Sequence, residues 1–306
     1  MMRGFRRAWP AVRLWCLGVL GPLCLIASVR AADGPSSAAG PQPEKYLLRY
    51  RFREGDTVRW NVVHRCQIRT TVGETTQTAE TTTTSVKVWR VRQVQADGTA
   101  SVEYLVEDVD MRNRLTGRDE VHYNSNKDAA PPPGFQQFAQ AVGVPLAVVT
   151  LDGRGKILQQ KQNVVKAAPP SSSGLTLPFP DDPVAVGQQW SFPHPIEVPL
   201  PEGGVRRVKS LQTFTLQSVK TGVASIRVTT EILTPIHDPA LQSQLLQFIS
   251  SGTVRFDIEA GRILGQQLDV DQGVVGFRGA ASSIHYVSRA TEELLPPQTR
   301  IASHVQ

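Results

Sequence analysis

"VGETTQTAETTTTSVKVW", residues 72–89, carries seven threonines in its first thirteen positions. Two structures accommodate such a run. An O-glycosylated stalk is rich in Ser, Thr and Pro together, whereas a strand favours threonine because β-branching suits a pleated surface. The stretch contains no proline, starts beside a glycine fit for a hairpin tip (Gly73) and ends in Val86, Val88 and Trp89. Just before it, even positions read Val58, Trp60, Val62, His64, Cys66, Ile68, and odd ones Arg59, Asn61, Val63, Arg65, Gln67, Arg69. A period of two with one apolar phase means one face on a core and one in water. The two runs read as arms of one antiparallel hairpin, and the threonines as its polar surface.

The pattern recurs. Gly73 follows Trp60 by thirteen residues, and Gly203 follows Trp190 by thirteen. "GTASV" (98–102) is echoed by "GVASI" (222–226), with Trp89-Arg90-Val91 and Phe214-Thr215-Leu216 ahead of them. A short helix-like stretch comes next in each copy, at 134–143 and 241–250. A hairpin signal closes each: "VVTLDGRGKIL" (148–158) and "VRFDIEAGRIL" (254–264). Five landmarks in the same order indicate an internal duplication. The strand after Trp190 carries Pro193, Pro195 and Pro199, which cannot donate to a ladder, so it reads as an edge or an irregular strand. Parity slips between Val88 and Trp89, and between Val106 and Val109, suggest β-bulges. The last stretch reads as two more strands around residues 273–279.

The expected organisation is a signal peptide at 1–31, a Pro/Gly/Ser-rich spacer at 32–44 and a first β module at 45–164. A Pro-rich linker at 165–184, a second β module at 185–295 and a flexible tail at 296–306 follow. The signal rests on Arg3, Arg6, Arg7 and Arg13 ahead of an apolar core over 14–29, then Val29-Arg30-Ala31 as a cleavage site. A retained anchor is the less favoured reading, because Gly18, Gly21 and Pro22 break the core below the roughly 20 residues a span needs. Twin-arginine export (Arg6-Arg7) and lipidation at Cys24 fit their surroundings poorly. Loss of the five arginines in 1–31 lowers the net charge from +6 to +1. No basic field remains to draw nucleic acid. Only Cys66 of the three cysteines stays, so neither an internal disulfide nor a Cys-based zinc cluster is expected. An exported chain, in the periplasm, the cell envelope or outside, with no transmembrane span after cleavage, is the expectation.

Chemistry is sparse. His64 and His194 each lie four residues past a tryptophan, Trp60 and Trp190, at matching places of the repeat. Trp60, His64, Trp190 and His194 are therefore the candidate ligand-facing residues. The two imidazoles would share a metal only if the copies brought them together; the plainer reading is a core histidine inherited twice. No H-E-x-x-H, C-x-x-C, G-x-S-x-G or phosphate loop occurs. The acidic pairs (Glu107-Asp108-Asp110, Asp181-Asp182, Asp269-Asp271) fall on exposed phases or in the linker. "DVDQG" (269–273) lacks the glutamate of a calcium loop. "VRRVK" (205–209) reads as edge protection, and Cys66 as an inert inward thiol. Catalytic residues, cofactor and metal are all expected to be absent, and an enzyme is the less favoured reading.

"YRFREGDTVRW", the Thr-rich hairpin, "ADGTASVEYLVEDV" and "LDGRGKIL" together resemble a family of secreted bacterial β-rich proteins with an F-x-x-G-D opening and a D-x-x-G-x-x hairpin in each half. That family has no established activity, so the resemblance implies an exported β fold and no catalytic residues. The expected fold is mainly β with a few short helices (α+β). It is built as two copies of a curved antiparallel sheet module, half-barrel-like, and similar in architecture to periplasmic lipoprotein and lipid carriers. A concave face with Trp60, Trp89, Trp190, Phe192 and Phe214 would then hold a lipid or other apolar ligand, unless those rings simply form the core. Another envelope protein bound through sheet edges is the alternative partner.

Overall fold

The computed structural model describes residues 43–162, 176–200 and 203–297. The signal segment 1–31, the spacer to residue 42, linker residues 165–175 and the tail from 298 lie outside the described residues.

The hairpin at residues 57–94 is the spine of the molecule. Strand β2 (Thr57–Val72) pairs with β3 (Thr75–Val94) in unbroken register from Thr57↔Arg90 to Val72↔Thr75. Gly73 supplies the positive φ (59°) at the first loop residue, and Glu74 has none, as a type II′ hairpin turn requires. The threonine run is thus one arm of a twenty-residue strand.

Short β1 (Lys45–Tyr46) precedes this hairpin, and β4 (Ala100–Leu115), β5 (Val121–Asn124), β6 (Pro145–Leu151) and β7 (Ile157–Gln162) follow it. Helix α1 (Gln136–Ala141) lies between β5 and β6. The second half holds β8 (Val184–Ala185), β9 (Gln189–Pro193), β10 (Ile196–Pro199), β11 (Val205–Val208), β12 (Ser210–Lys220) and β13 (Val223–Ile232). Then come α2 (Pro239–Leu245), a 3-10 turn (Leu246–Phe248), β14 (Ser251–Asp257), β15 (Arg262–Val275) and β16 (Ser282–Leu294). One twelve-stranded antiparallel sheet runs β7-β6-β4-β3-β2-β16-β15-β14-β13-β12-β9, with β5 beside β4. It is not closed into a barrel: β7 and β9 are its two ends among the described residues. The order β7-β6-β4-β3-β2 in the first half recurs as β15-β14-β13-β12-β9 in the second, and β16 joins the two.

Sequence irregularities become structural ones. The β3–β4 ladder slips between Ser85 and Lys87 and again between Val91 and Gln93, the first where the parity of both strands changes. Prolines 193 and 195 bracket the break after β9, the edge strand, and β10 pairs with β11 in a separate ribbon. The two strands expected around residues 273–279 are β15 and β16, and β15 also takes in the hairpin arm at 262–264, so residues 262–275 form one strand with a bulge near Leu264. A single outlying residue does not end a ladder that resumes its register. Helix α2 starts at Pro239, where Asp238 accepts the Ala240 N–H (2.9 Å) and proline occupies the first turn.

Two apolar clusters make up most of the core beneath the sheet. Phe214, Leu216, Ile226, Val254 and Phe256 form one cluster, and Trp60, Trp89, Val102, Tyr104 and Val149 another. Phe52 packs against both. Proline-rich residues 176–180 have no regular structure, yet they bury Leu177 and Phe179 in the first cluster. The segment 47–56, which has no strand of its own and turns at residues 54–55, crosses the core as a strap. Its Tyr50 N–H donates to Gly153 O (2.7 Å) in the β6–β7 turn, and Arg51 N–H to Gly261 O (3.1 Å) in the β14–β15 turn. Five strand spacings separate β6 from β15 in the sheet order, about 24 Å in a flat sheet. Neighbouring strap residues cannot reach that far, so the sheet is rolled and the strap fastens the roll.

Candidate ligand cavity

The strap works because its side chains alternate. Leu48 and Tyr50 are buried, while Arg51 and Arg53 are exposed. The Tyr50 ring stacks on Phe52 (centroids 5.6 Å), meets Phe256 edge-on (5.4 Å) and touches Phe179 (5.5 Å). Its hydroxyl accepts the Leu177 N–H at 2.8 Å. Burial pushes the phenol up, with the charge of Glu292 adding to it.

Between strap, β14–β15 turn and the ends of β2, β3 and β16 lies a cavity of about 290 Å³. Trp60, Trp89, Phe52, Val58 and Val91 supply its apolar surface. Trp60 donates its indole N–H to Ile263 O (3.1 Å) and meets Trp89 edge-on at 5.3 Å. The floor is ionic. Lys87 and Glu292, both nearly buried, are bonded to each other, and the Lys87 ammonium lies 5.0 Å from the Trp60 ring centroid, within cation–π range. Burial, then the Glu292 charge, pushes the Tyr104 phenol up to about 12. Arg51, Arg53, Asp56, Glu259 and Arg262 surround the mouth.

Of the four candidate residues, this cavity takes Trp60 alone. Trp190 is stacked on Phe214 (5.7 Å) with its indole N–H on Pro178 O (2.9 Å). His64 lies farther along β2, opposite Thr83 and Ala290. His194 follows the edge strand, its N–H on Ser210 O (2.9 Å) and its carbonyl accepting from Ser210 Oγ. Six strand spacings separate β2 from β9, about 29 Å measured along the sheet. The rings Trp60, Trp89 and Phe214 are buried core residues, and Trp190 and Phe192 pack against that core half-buried.

Burial lowers the pKa of both His64 and His194. A folded-state value below the unfolded one means the unfolded chain binds more protons in the interval between them. Stability from these histidines is therefore complete above the ordinary value of 6.5 and lost as pH falls below it. We expect the urea midpoint to fall between pH 7 and pH 5. That fall becomes shallower in a His64→Gln/His194→Gln variant, and an identical slope in both proteins would contradict it.

Several charged groups away from the cavity have partners. Asp269 holds Arg289 (2.6 Å) and Asp271 faces His285 (2.7 Å), so the carboxylates of "DVDQG" bind across the β15–β16 ladder. Asp110 holds His122 (3.0 Å) and Asn124 (2.8 Å). Burial pushes the half-buried Cys66 thiol up. Among the described residues no group of three or more His, Cys, Asp or Glu is placed to hold a metal ion, and no helix is long and apolar enough to cross a membrane.

Sequence reading missed Lys87, Glu292 and the strap. Lys87 had a usable signal: a two-residue loop after Val72 puts it opposite Trp60, on the inward phase. Glu292 had none, because the pairing of β16 with β2 spans more than two hundred residues.

No protein-family model matches the chain, and no curated protein sequence does. Among solved structures, one concerned with lipid–protein interactions in lipovitellin is similar at 14% identity and a TM-score of 0.45. The likeness covers 84% of this chain and 27% of that one, so this chain spans about a quarter of its length.

Proposed function

We propose that this is an exported binding protein that holds a small, apolar-bodied ligand in the cavity beneath the strap. Export rests on the charged, apolar and small-residue order of residues 1–31. The observation that carries binding is the cavity itself: about 290 Å³ walled by Trp60, Trp89 and Phe52, with charged groups at floor and mouth. Rings on the walls with charged groups at floor and mouth suit a ligand that has both an apolar body and a polar part, and the volume stands at the lower end of small-molecule sites. That size favours a compact aromatic or short alkyl body over a two-chain lipid. Binding is favoured over catalysis because the two floor groups, Lys87 and Glu292, are already bonded to each other.

The neutral fluorophore N-phenyl-1-naphthylamine tests this reading. The protein is expected to bind it saturably, one per chain, with fluorescence rising as the dye leaves water. An Ala260→Trp variant, which fills the mouth from the β14–β15 turn, is expected to weaken binding at least tenfold. Unsaturable binding, or equal binding by a folded Ala260→Trp protein, would remove the cavity from the account.

A further inference from the structure

Resting on that reading, we propose that the ligand is an organic acid, whose anionic head is taken by Arg51, Arg53 and Arg262 while its apolar body enters between the rings. The three arginines have a common placement. Arg51 and Arg53 are the exposed phase of the strap on either side of Phe52, which turns inward to the core. Arg262 opens β15 next to Gly261, whose carbonyl holds the Arg51 N–H. Strap and turn are therefore joined at the point where the guanidiniums flank the mouth. None of the three makes an ion pair or a side-chain hydrogen bond among the described residues. Arg59 by contrast is bonded to Glu107, Arg154 to Asp152 and Asp181, and Arg289 to Asp269.

Two carboxylates, Asp56 and Glu259, share the mouth and are also without such partners. The mouth thus carries three guanidiniums against two carboxylates, and the floor pair is neutral in sum. The guanidinium fork matches carboxylate, sulfonate and phosphate oxygens in a bidentate manner that a diffuse charge does not. An exposed arginine keeps its hydration until an anion arrives, so the site stays open to solvent when empty. The cavity's size favours a free organic acid over the headgroup of a membrane lipid.

A matched pair of dyes separates head from body. 1-Anilinonaphthalene-8-sulfonate has the rings of N-phenyl-1-naphthylamine with one sulfonate added. At low salt the sulfonate is expected to bind at least tenfold more tightly than the neutral dye, and to lose that advantage as salt rises. The triple variant Arg51→Gln/Arg53→Gln/Arg262→Gln is expected to lose at least tenfold in affinity for the sulfonate and less than twofold for the neutral dye. The single Arg262→Gln is expected to fall between, and guards against a fold lost in the triple variant. Equal affinity for the two dyes overturns the acid head and leaves the cavity standing. Equal weakening of both dyes in the triple variant does the same. Failure of both dyes to bind wild-type protein overturns cavity and head together. Phosphatidylglycerol vesicles that sediment the protein, with no binding of the soluble sulfonate, would overturn the free acid in favour of a membrane lipid.

Discussion

Lys87→Met is expected to destabilise the protein by about 3–5 kcal/mol, the range for removing one partner of a buried ion pair. Methionine keeps the volume of the lysine stem, so little of that loss is packing. It comes from Glu292, a nearly buried carboxylate that loses Lys87, its ion-pair partner among the described residues. Loss of the cation beside the Trp60 ring adds to it. The second half of the prediction is the more telling. In Lys87→Met/Glu292→Leu no charge is stranded, and replacing a buried pair by apolar groups of similar size is often neutral or better. Stability is then expected to return to within about 1 kcal/mol of wild type, giving a large coupling in a double-mutant cycle. Urea unfolding measures all four proteins. A Lys87→Met protein as stable as wild type would mean that water reaches the floor freely. If the double variant also keeps its fold but binds neutral dye differently, the pair is shaping the cavity as well as the core.

The second large effect concerns how the strap is seated. Gly261→Ala is expected to cost about 3 kcal/mol, and Gly155→Ala about as much. Both glycines have positive φ, 62° and 77°, where a side chain costs roughly 1–2 kcal/mol by itself. A Cβ at Gly261 would lie 2.5 Å from Arg51 N, and one at Gly155 would lie 2.4 Å from Tyr50 Cε2 and 2.7 Å from Leu177 O. Two of those atoms are backbone, so the strap must shift, and crowding of this kind costs about 1–3 kcal/mol. Gly98→Ala is the control. Its φ is 83° but nothing lies within 4 Å, so it should lose only the conformational part. If Gly98→Ala and Gly261→Ala melt together, the strap does not press on the turns. If Gly261→Ala alone also abolishes dye binding, the strap's position sets the mouth.

What was legible in the sequence follows from range. The β2–β3 hairpin could be read because its alternation, its glycine and its threonines all lie within forty residues. The bulges near Ser85 were visible as parity changes, and the edge strand β9 as prolines that cannot donate. The two hairpin turns "LDGRGKIL" and "IEAGRIL" were found as a repeat, yet nothing local shows that one strap joins them through Tyr50 and Arg51. Rolling of the sheet is a sum of small twists over many strands, and it leaves no mark on any single strand. The same holds for burial of Leu177 and Phe179: their prolines announce an irregular segment, and only packing shows that it fills the core. His64 and His194 hold equal places in the repeat, and in two copies laid edge to edge those places fall at strands six spacings apart in the sheet order.

A crystal structure of the protein with N-phenyl-1-naphthylamine tests the central claim most directly. The account predicts the naphthyl group beneath the strap, against Phe52, Trp60 and Trp89, with Lys87 and Glu292 still bonded below it. Dye found only on the outer sheet face or along an edge strand, with the cavity closed by its own rings, would contradict it.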